Sequence, residues 1–277
     1  MRPHRWNPGF EWQDHRDRPR FLTSEQVREY DELGFFVLEG AFTEDELAPV
    51  RDDLDRYDAK VERWLERQGL ERVSITEKGA ITFAPNLTAR SDVLAAFVRH
   101  PVYLGIAHDL LGRDVNLYWE QAVYKKPEKP RRFPWHQDTG YKVTLPQDYL
   151  TCWTAITEAT LDNGCPIVAP GVHRRGTLHH DFIDPLGWEC FAEPPVETVA
   201  APVRAGGIVV FSSLTPHLTG PNTTAAVRKA YIVQYARAGT VGMEGDPATT
   251  EPTPVPQDDP SFQFPVLRDG EPVGAAA

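Results

Sequence analysis

Two side chains that commonly bind metals, those of His136 and Asp138, stand on either side of Gln137. In an extended strand, residues i and i+2 point to the same face, so an imidazole nitrogen and a carboxylate oxygen would converge on one point beside the sheet. Two histidines and one carboxylate on one side of a metal, with the other positions open, form the centre of non-haem Fe(II) oxygenases. The pair therefore supplies two of the three ligands of such a centre.

The His-x-Asp spacing occurs at three places in the chain, which begin at His15, His136 and His179. His15 lies in a polar, proline-containing segment with no strand pattern, and His179 follows a loop rich in glycine and arginine. Only His136 lies between two strand candidates, residues 115–124 and 151–158. Its position therefore favours the pair that begins at His136 over the other two.

A second histidine suited to the same centre is His217, which follows the apolar run at residues 208–211. It lies far beyond Asp138 in the chain, with room between them for several strands and their turns. A closed double sheet can bring a strand that is distant in sequence back to the same opening. His217 is therefore the candidate for the third ligand.

An arginine suited to binding a carboxylate, Arg228, follows His217 and leads into the strand candidate at residues 230–236. An arginine that enters a strand next to the histidine-bearing strand can point into the same cavity. There its planar guanidinium binds a carboxylate through two hydrogen bonds. Arg204 and Arg237 also flank strand candidates, so they stay alternatives for this role.

With these residues in place, most of the chain, from about Thr23 to Ala236, resembles the phytanoyl-CoA dioxygenase family of Fe(II)- and 2-oxoglutarate-dependent oxygenases. Each matching segment is short, but the order and spacing of all of them together are specific. The matches are residues 32–37, 136–138, 153–155, 162–165 and 170–173, and His217 followed by Arg228.

The resemblance implies a role for each residue of the candidate site. In this family the first histidine, the aspartate and the distal histidine bind iron, and these correspond to His136, Asp138 and His217 here. The arginine beyond them pairs with the far carboxylate of 2-oxoglutarate, and it corresponds to Arg228. The cofactors that the resemblance implies are Fe(II), with 2-oxoglutarate and O2 as co-substrates.

Three further positions match co-substrate contacts of the family. Thr219 stands where relatives usually have a small hydroxyl residue that touches the same carboxylate. Gln137 and Trp153 match positions that line the co-substrate pocket in relatives. By this resemblance, we expect all three side chains to lie near 2-oxoglutarate.

The function that the resemblance implies is hydroxylation of an aliphatic C–H bond in a small molecule, with release of succinate and CO2. The sequence does not choose between a lipid-like acid, an acyl-CoA and a secondary metabolite as the substrate. Desaturation stays an alternative outcome, and a non-catalytic jelly-roll that binds a metal or a sugar stays an alternative function. Halogenases that resemble this family lack the carboxylate ligand, and Asp138 is present here.

The fold implied is mainly β with flanking helices. Its core is a double-stranded β-helix, a cupin-like jelly-roll, with an N-terminal helical segment. Residues Thr23 and Thr43, each followed three positions later by Gln or Glu, predict helices that end at Gly34 and Gly69. Further helices are predicted at residues 91–100 and 101–111, and strands at residues 35–38, 115–124, 151–158, 165–169, 196–203, 207–211 and 230–236.

The predicted organisation is one dioxygenase domain. It consists of an N-terminal arm (1–20), a mainly helical part (21–112), the jelly-roll core (113–238) and an extended, loose C-terminal tail (239–277). The arm is either a disordered leader or a segment that packs over the site through Trp6, Phe10 and Trp12. The basic run at residues 125–132 is either a solvated hairpin loop or an attractant for an anionic substrate.

Bulk composition narrows the classes of partner and compartment. The formal net charge of −11 argues against nucleic acid, because no surplus of positive charge is available to neutralise phosphates. Cys152, Cys165 and Cys190 are odd in number and lack metal-site spacing, so we expect a cytoplasmic protein with reduced thiols. No apolar run reaches the roughly 18 residues of a membrane span, and the N-terminus lacks the apolar region of a signal peptide.

Overall fold

The computed structural model describes residues 1–7, 9–15, 18–127, 133–184 and 186–274 of the chain. Its α-helices are α1 (Ser24–Leu33), α2 (Glu44–Gln68), α3 (Asp92–Phe97) and α4 (Pro101–Leu111), and its short 3-10 helices span Thr88–Arg90, Asp138–Gly140 and Val172–Arg175. No helix within these ranges is long and apolar enough to cross a membrane.

The first two helices begin and end as their sequences predict. Thr23 and Thr43 each form a capping box: the threonine hydroxyl accepts from the backbone N–H three positions later, and the side chain of that later residue accepts from the threonine backbone N–H. Gly34 ends α1 with a φ of 87°, and a Cβ added there would lie 2.5 Å from Thr215 Oγ1. Glycine is therefore required by both the left-handed backbone and the close approach of the segment before His217.

The helix predicted at residues 91–100 is shorter in the structure. It ends at Phe97, and the chain turns so that His100 becomes the N-cap of α4. The side chain of His100 accepts a hydrogen bond from the backbone N–H of Val102, which occupies a donor that has no partner inside the helix.

The strands are short and numerous after residue 115. They are β1 (Phe35–Leu38), β2 (Arg72–Val73), β3 (Thr76–Glu77), β4 (Ile81–Pro85), β5 (Val115–Lys125), β6 (Thr144–Leu145), β7 (Leu150–Ala155), β8 (Pro166–Val168), β9 (Asp181–Ile183), β10 (Gly187–Glu189), β11 (Val199–Ala200), β12 (Ile208–Ser212), β13 (His217–Thr219), β14 (Arg228–Arg237), β15 (Val241–Glu244), β16 (Thr253–Pro256), β17 (Pro265–Arg268) and β18 (Glu271–Pro272).

Antiparallel pairing assembles the strands into one large and several small sheets. The large sheet has the order β1-β12-β7-β14-β5-β4-β3-β2, with β17 paired to β5 and β18 to β17. A smaller sheet has the order β11-β8-β13, and β13 carries His217 at its first position. A third sheet has the order β16-β15-β6, and β9 and β10 form a hairpin.

The large sheet is buried on both faces, and residues alternate between them. On β14, Tyr231, Val233 and Tyr235 belong to the core that the helices cover. Ala230 belongs instead to a second core, shared with Trp153 of β7 and with β8 of the smaller sheet. Two sheets that face each other across an apolar interior, joined by antiparallel pairing, form the predicted double-stranded β-helix with its N-terminal helices.

The C-terminal segment is more ordered than its composition indicates. Val266 and Leu267 of β17 are 0% and 2% exposed and belong to the core beneath the helices. Strand β15 pairs with both β6 and β16. A loose end was predicted here, but the described part of this segment packs on the domain. Strand β17 pairs with the start of β5, and its apolar residues enter the core.

The N-terminal arm also packs on the domain, so the leader is not disordered within the described residues. Trp6 is buried, and the backbone of Pro3 bridges to Leu178. The ring of Trp12 lies 4.5 Å from that of His173, edge to face, and its Nε1 donates to Asp31. The arm therefore packs against residues 173–178.

Candidate metal centre and co-substrate pocket

Two histidines of the candidate centre are held opposite each other by their own backbones. The N–H of His136 donates to the carbonyl of His217 over 3.0 Å, and the N–H of His217 donates to that of His136 over 2.9 Å. This isolated antiparallel bridge puts the two rings 4.3 Å apart. Asp138 follows at the start of the 3-10 helix Asp138–Gly140, two residues beyond His136 as the sequence pattern requires.

The ligand atoms of these three side chains face one another. Nε2 of His136 lies 3.9 Å from Oδ1 of Asp138, and Nε2 of His217 lies 3.8 Å from the same oxygen. Each of the three side chains offers an atom within 4.8 Å of the other two, and no other such group of three occurs among the described residues. Two imidazoles and a carboxylate this close form a facial donor set for a divalent metal.

The tautomers of both histidines are fixed by their second nitrogens. Nδ1 of His136 lies 2.9 Å from the carbonyl of Pro134, and Nδ1 of His217 lies 3.0 Å from that of Thr215. Because a carbonyl only accepts, both Nδ1 atoms carry the hydrogen and both Nε2 lone pairs face Asp138. Burial, followed by the neighbouring His217 and His180, holds the pKa of His136 well below its usual range, which keeps the ring neutral.

The second carboxylate oxygen of Asp138 is held by two residues that the sequence did not single out. Oδ2 accepts a hydrogen bond of 2.6 Å from Thr151 Oγ1 and another of 2.8 Å from Gln234 Nε2. Thr151 and Gln234 are opposite each other in the β7–β14 register. Their donation leaves Oδ1 turned toward the two histidines, so they orient the ligand.

Arg228, the first residue of β14, is 1% exposed. Its Nε, Nη1 and Nη2 atoms find no hydrogen-bond partner among the described residues. Its Cζ atom lies 5.0 Å from the centre of the Trp153 ring. Burial lowers the pKa of Arg228 to about 10, although the neighbouring Cys165 thiol works against the shift. A buried guanidinium fork with its donors unused fits an incoming carboxylate.

The two alternative arginines lie in different settings. Arg237 at the other end of β14 pairs with Asp148, with 2.8 Å between Nη1 and Oδ2. Arg204 is exposed on the surface. Neither presents a buried, unpartnered guanidinium, so the geometry favours Arg228 for binding a carboxylate.

Thr219 lies on β13 two residues beyond His217, on the same face of that strand. Its hydroxyl oxygen accepts a hydrogen bond of 3.0 Å from Lys125 Nζ. Lys125 ends β5 and is 5% exposed, so it does not belong to a solvated loop. Residues 128–132 of the predicted basic loop lie outside the described residues.

Gln137 is fully buried, and its side chain bonds to backbone. Its Nε2 donates to the carbonyls of Gly176 and Leu214, and its Oε1 accepts from the N–H of Leu178. These contacts tie the segment that carries His136 and Asp138 to two loops. They favour a structural role over the predicted contact with 2-oxoglutarate, because the residue between two same-face ligands points to the opposite face.

Aromatic rings surround the histidines. The rings of Phe133 and Tyr141 meet that of His136 edge to face, at 5.2 and 5.7 Å. Phe211 lies 4.5 Å from His217 on the inner side. Burial and the charge of Asp138 raise the pKa of Tyr141, so its hydroxyl keeps its proton. Aromatic rings therefore border the centre, and one of them, Tyr141, is itself 45% exposed.

The other two His-x-Asp pairs form no such centre. His179 Nε2 bonds at 3.0 Å to Asp181, and that carboxylate is largely exposed. Nδ1 of His15 bonds at 2.7 Å to Asp31, and its partner in the motif, residue 17, lies outside the described residues. Neither histidine belongs to the group that could hold a metal.

Comparison with known proteins gives the same family as the site. The family model described as phytanoyl-CoA dioxygenase (PhyH) matches residues 30–230, more than half of the chain. The chain belongs to the phytanoyl-CoA dioxygenase family. It is thus an Fe(II)- and 2-oxoglutarate-dependent dioxygenase, as the sequence predicted.

Individual relatives of this dioxygenase are distant but span most of it. Methylphosphonate hydroxylase of Gimesia maris is 28% identical over 77% of this chain and 80% of the relative. Human peroxisomal phytanoyl-CoA dioxygenase is 26% identical over 78% of this chain and 69% of the relative. The solved structure of SnoK, a non-haem alpha-ketoglutarate-dependent carbocyclase from nogalamycin biosynthesis, has a TM-score of 0.69 at 25% identity and covers 89% of this chain and 99% of its own.

The residues of this dioxygenase fit the metal and the co-substrate of its family. Three facing ligand atoms suit Fe(II), and the unpartnered guanidinium of Arg228 suits the far carboxylate of 2-oxoglutarate. The first fit was predicted from two motifs. The support for Asp138 from Thr151 and Gln234 was missed, because only the strand register pairs them.

Proposed function

We propose that His136, Asp138 and His217 hold Fe(II) in this dioxygenase, and that Arg228 binds the far carboxylate of 2-oxoglutarate. The observation that carries this proposal is the approach of both Nε2 atoms to Asp138 Oδ1, at 3.9 and 3.8 Å. The outcome we propose is hydroxylation of an aliphatic C–H bond in a small molecule. When bound together, Fe(II), 2-oxoglutarate and O2 supply the oxidising chemistry, with succinate and CO2 as by-products.

The protein contributes orientation. The carbonyls of Pro134 and Thr215 accept from the two Nδ1–H groups and keep both Nε2 lone pairs available for the metal. Thr151 and Gln234 hold the other oxygen of Asp138, so the carboxylate does not rotate away. These contacts predefine the ligand geometry.

The protein also contributes selection of the co-substrate and exclusion of water. Arg228 offers a buried bidentate fork, and the Thr219 hydroxyl lies on the same face as His217. The Trp153 ring packs against the guanidinium and shields it from solvent. A dry pocket strengthens each of these electrostatic contacts.

For the substrate, we propose a small molecule with an apolar portion next to the metal. The edge of the centre that faces His136 carries Phe133 and Tyr141, and Phe83 of β4 lies 5.8 Å from Phe133. Such a surface accommodates the aliphatic segment whose C–H bond is attacked. A thermal-shift screen of metabolites, with Mn(II) and 2-oxoglutarate bound, tests this proposal: we expect hits to be enriched in molecules with an aliphatic part.

We further propose that the chain is one dioxygenase domain that works in the cytoplasm on a small-molecule substrate. Cys152, Cys165 and Cys190 are all buried and free. Three unpaired thiols fit a reducing compartment. A net charge of −11 does not favour a nucleic acid as partner.

Metal binding tests the assignment of the ligands. The variants His136→Ala, Asp138→Ala and His217→Ala should each lose Mn(II) binding in calorimetry. The matched control His179→Ala should retain it, because that histidine bonds to an exposed Asp181. Loss of binding in the control, with binding retained in His136→Ala, would mean that the wrong pair was chosen.

Turnover tests the outcome. The wild-type enzyme with Fe(II) should form succinate from 2-oxoglutarate, whereas a non-catalytic metal-binding jelly-roll would form none. Once a substrate is found, turnover under isotope-labelled O2 in excess chloride should give a hydroxylated product that carries one labelled oxygen. A desaturated or chlorinated product would contradict hydroxylation.

A further inference from the structure

Three of the nine tyrosines have hydroxyls that the protein does not use. The hydroxyls of Tyr118, Tyr141 and Tyr149 make no hydrogen bond to any described residue. The other six tyrosines bond through their hydroxyls to protein groups; they are Tyr30, Tyr57, Tyr103, Tyr124, Tyr231 and Tyr235. Because a buried tyrosine hydroxyl usually has a partner, the location of the three exceptions matters.

Two of the three lie one row beyond the side chains that hold Asp138. Thr151 and Gln234 donate to that carboxylate from opposed positions of β7 and β14. Tyr149 precedes Thr151 by two residues and therefore projects from the same face of the sheet. The ring of Tyr118 lies 4.5 Å from that of Tyr149 and packs in the same small cluster.

A β-bulge directs Tyr118 to this face. In the β14–β5 register, Gln234 is opposite Trp119, and the next residue of β14 is opposite Leu117. Tyr118 is therefore the extra residue of a bulge, which can redirect a side chain. Leu117 lies in the core under the helices, and Glu120 bonds to a tyrosine of that core, although residues three apart in a regular strand point to opposite faces. Tyr118 and Trp119 thus both project to the face of Gln234.

The third tyrosine approaches from outside the sheet. Tyr141 follows the 3-10 helix that begins at Asp138, and it is the exposed ring that meets His136 edge to face. Tyr118 and Tyr149 are only 7% and 3% exposed, but their hydroxyl oxygens are not among the fully enclosed, unpartnered atoms of the described chain. All three hydroxyls therefore reach open space beside the candidate centre.

The three hydroxyls are close to one another and keep their protons. Burial, and after it the charge of Asp138, raises the pKa of Tyr118. Burial also raises the pKa of Tyr149, with further contributions from Tyr118, Asp138 and Tyr141. Since a protonated phenol can donate, the space beside the centre is lined by three O–H donors.

The surroundings favour a neutral acceptor over a charged group. No lysine or arginine of the described chain lowers the pKa of any of the three tyrosines, so an anion would meet Asp138 without a counter-charge. A cation would need open ring faces, but the rings of Tyr118 and Tyr149 pack against each other.

We propose that Tyr118, Tyr141 and Tyr149 form the substrate subsite, where their hydroxyls bind a neutral oxygen of the substrate: a carbonyl, ether or hydroxyl oxygen near the C–H bond that is attacked. This inference rests on the proposed metal site and deepens the proposed function. It favours an uncharged, oxygenated small molecule over a lipid-like acid, whose carboxylate would lie beside Asp138.

Proton relaxation by Mn(II) tests the location of the subsite. With Mn(II) and 2-oxoglutarate bound, the paramagnetic ion speeds the relaxation of protons in any small molecule held near it, and Zn(II)-loaded protein gives the baseline. The probe is cyclohexanone, which joins a carbonyl to aliphatic C–H bonds. Cyclohexylammonium and cyclohexanecarboxylate are its charged counterparts. We expect cyclohexanone to bind near the metal more tightly than either of them.

Phenylalanine variants test the donors, because they keep the rings. Tyr118→Phe, Tyr141→Phe and Tyr149→Phe should each weaken cyclohexanone about two- to tenfold, the effect of losing one neutral hydrogen bond. The control Tyr57→Phe removes a hydroxyl that donates to the carbonyl of Arg90, and it should change nothing. Every variant should keep the wild-type affinity for Mn(II) and 2-oxoglutarate, which separates substrate binding from structural support of the centre.

The possible failures can be told apart. Equal binding of cyclohexanone by the wild type and all three variants would refute the role of the hydroxyls. No enhanced relaxation in a wild type that binds Mn(II) and 2-oxoglutarate would refute the subsite, and tighter binding of a charged counterpart would refute the neutral acceptor. A wild type that binds neither Mn(II) nor 2-oxoglutarate would instead refute the proposed function.

Discussion

Replacing Arg228 by methionine should raise the stability of the ligand-free protein and abolish its response to 2-oxoglutarate. The guanidinium is 1% exposed, and none of its three nitrogens has a hydrogen-bond partner among the described residues. Burial lowers the pKa of Arg228 to about 10. Since one pKa unit is worth about 1.4 kcal/mol, the unpaired charge costs the fold roughly 3 kcal/mol. Methionine fills a similar volume without a charge to desolvate.

The two effects can be read in one thermal-unfolding assay with Mn(II) present. At about 2 °C per kcal/mol for a chain of this size, the ligand-free variant should unfold up to about 6 °C above the wild type. Added 2-oxoglutarate at 100 times its Kd should stabilise the wild type by about 2.7 kcal/mol. The variant should respond only at concentrations about 30-fold to a few thousandfold higher, since losing one partner of a desolvated pair costs roughly 2–5 kcal/mol.

The control for this experiment is Arg237→Met. Arg237 pairs with Asp148 at 2.8 Å, so its removal should lower stability and leave the response to 2-oxoglutarate intact. Arg228 is not the anchor if Arg228→Met unfolds below the wild type and still responds to 2-oxoglutarate. Loss of that response in Arg237→Met would make Arg237 the anchor instead.

Three other variants test the supports of the site and the arm. Gln234→Leu should weaken Mn(II) binding about 10- to 100-fold in calorimetry, because Asp138 Oδ2 loses a donor; unchanged affinity would contradict the orienting role. Asp31→Asn should expose the arm to limited proteolysis, since Asp31 accepts from Trp12 Nε1 and from the backbone and Nδ1 of His15; a wild-type digestion pattern would show that the arm is held elsewhere. Burial opposes protonation of His15, but its bonds to Asp31 and a backbone carbonyl outweigh burial and raise its pKa. The stabilisation is then complete below the unfolded pKa of about 6.5 and is lost as the pH rises through the folded pKa, so His15→Gln should lower the unfolding temperature at pH 5.5 more than at pH 9.

The candidate metal centre could be predicted from the sequence because each of its residues follows a local rule. His136 and Asp138 obey the two-residue period of an extended segment, and His217 follows an apolar strand. The helices were predicted for a similar reason, since capping boxes and terminal glycines are local signals. Each of these features depends on residues within a few positions of one another.

The supports of the centre could not be predicted because they depend on register. Thr151 and Gln234 meet only because β7 and β14 pair in one particular alignment, and β14 has an irregularity next to Gln234 where it pairs with β5. A shift of one residue would turn Gln234 away from Asp138. Sequence alternation marks which residues share a face, but it does not tell which side chains lie opposite each other.

Register also explains how the two candidate histidines come to face each other. The backbone bridge between His136 and His217 consists of two hydrogen bonds, and each imidazole is then locked by a carbonyl two residues earlier in its own chain segment. A one-residue slip of either segment would break the bridge. It would also turn the imidazole of that segment to the opposite face, away from the centre. The same backbone contacts therefore specify the pairing, the tautomer and the direction of both lone pairs. Such preorganisation means that little of the metal-binding free energy is spent on ordering the ligands.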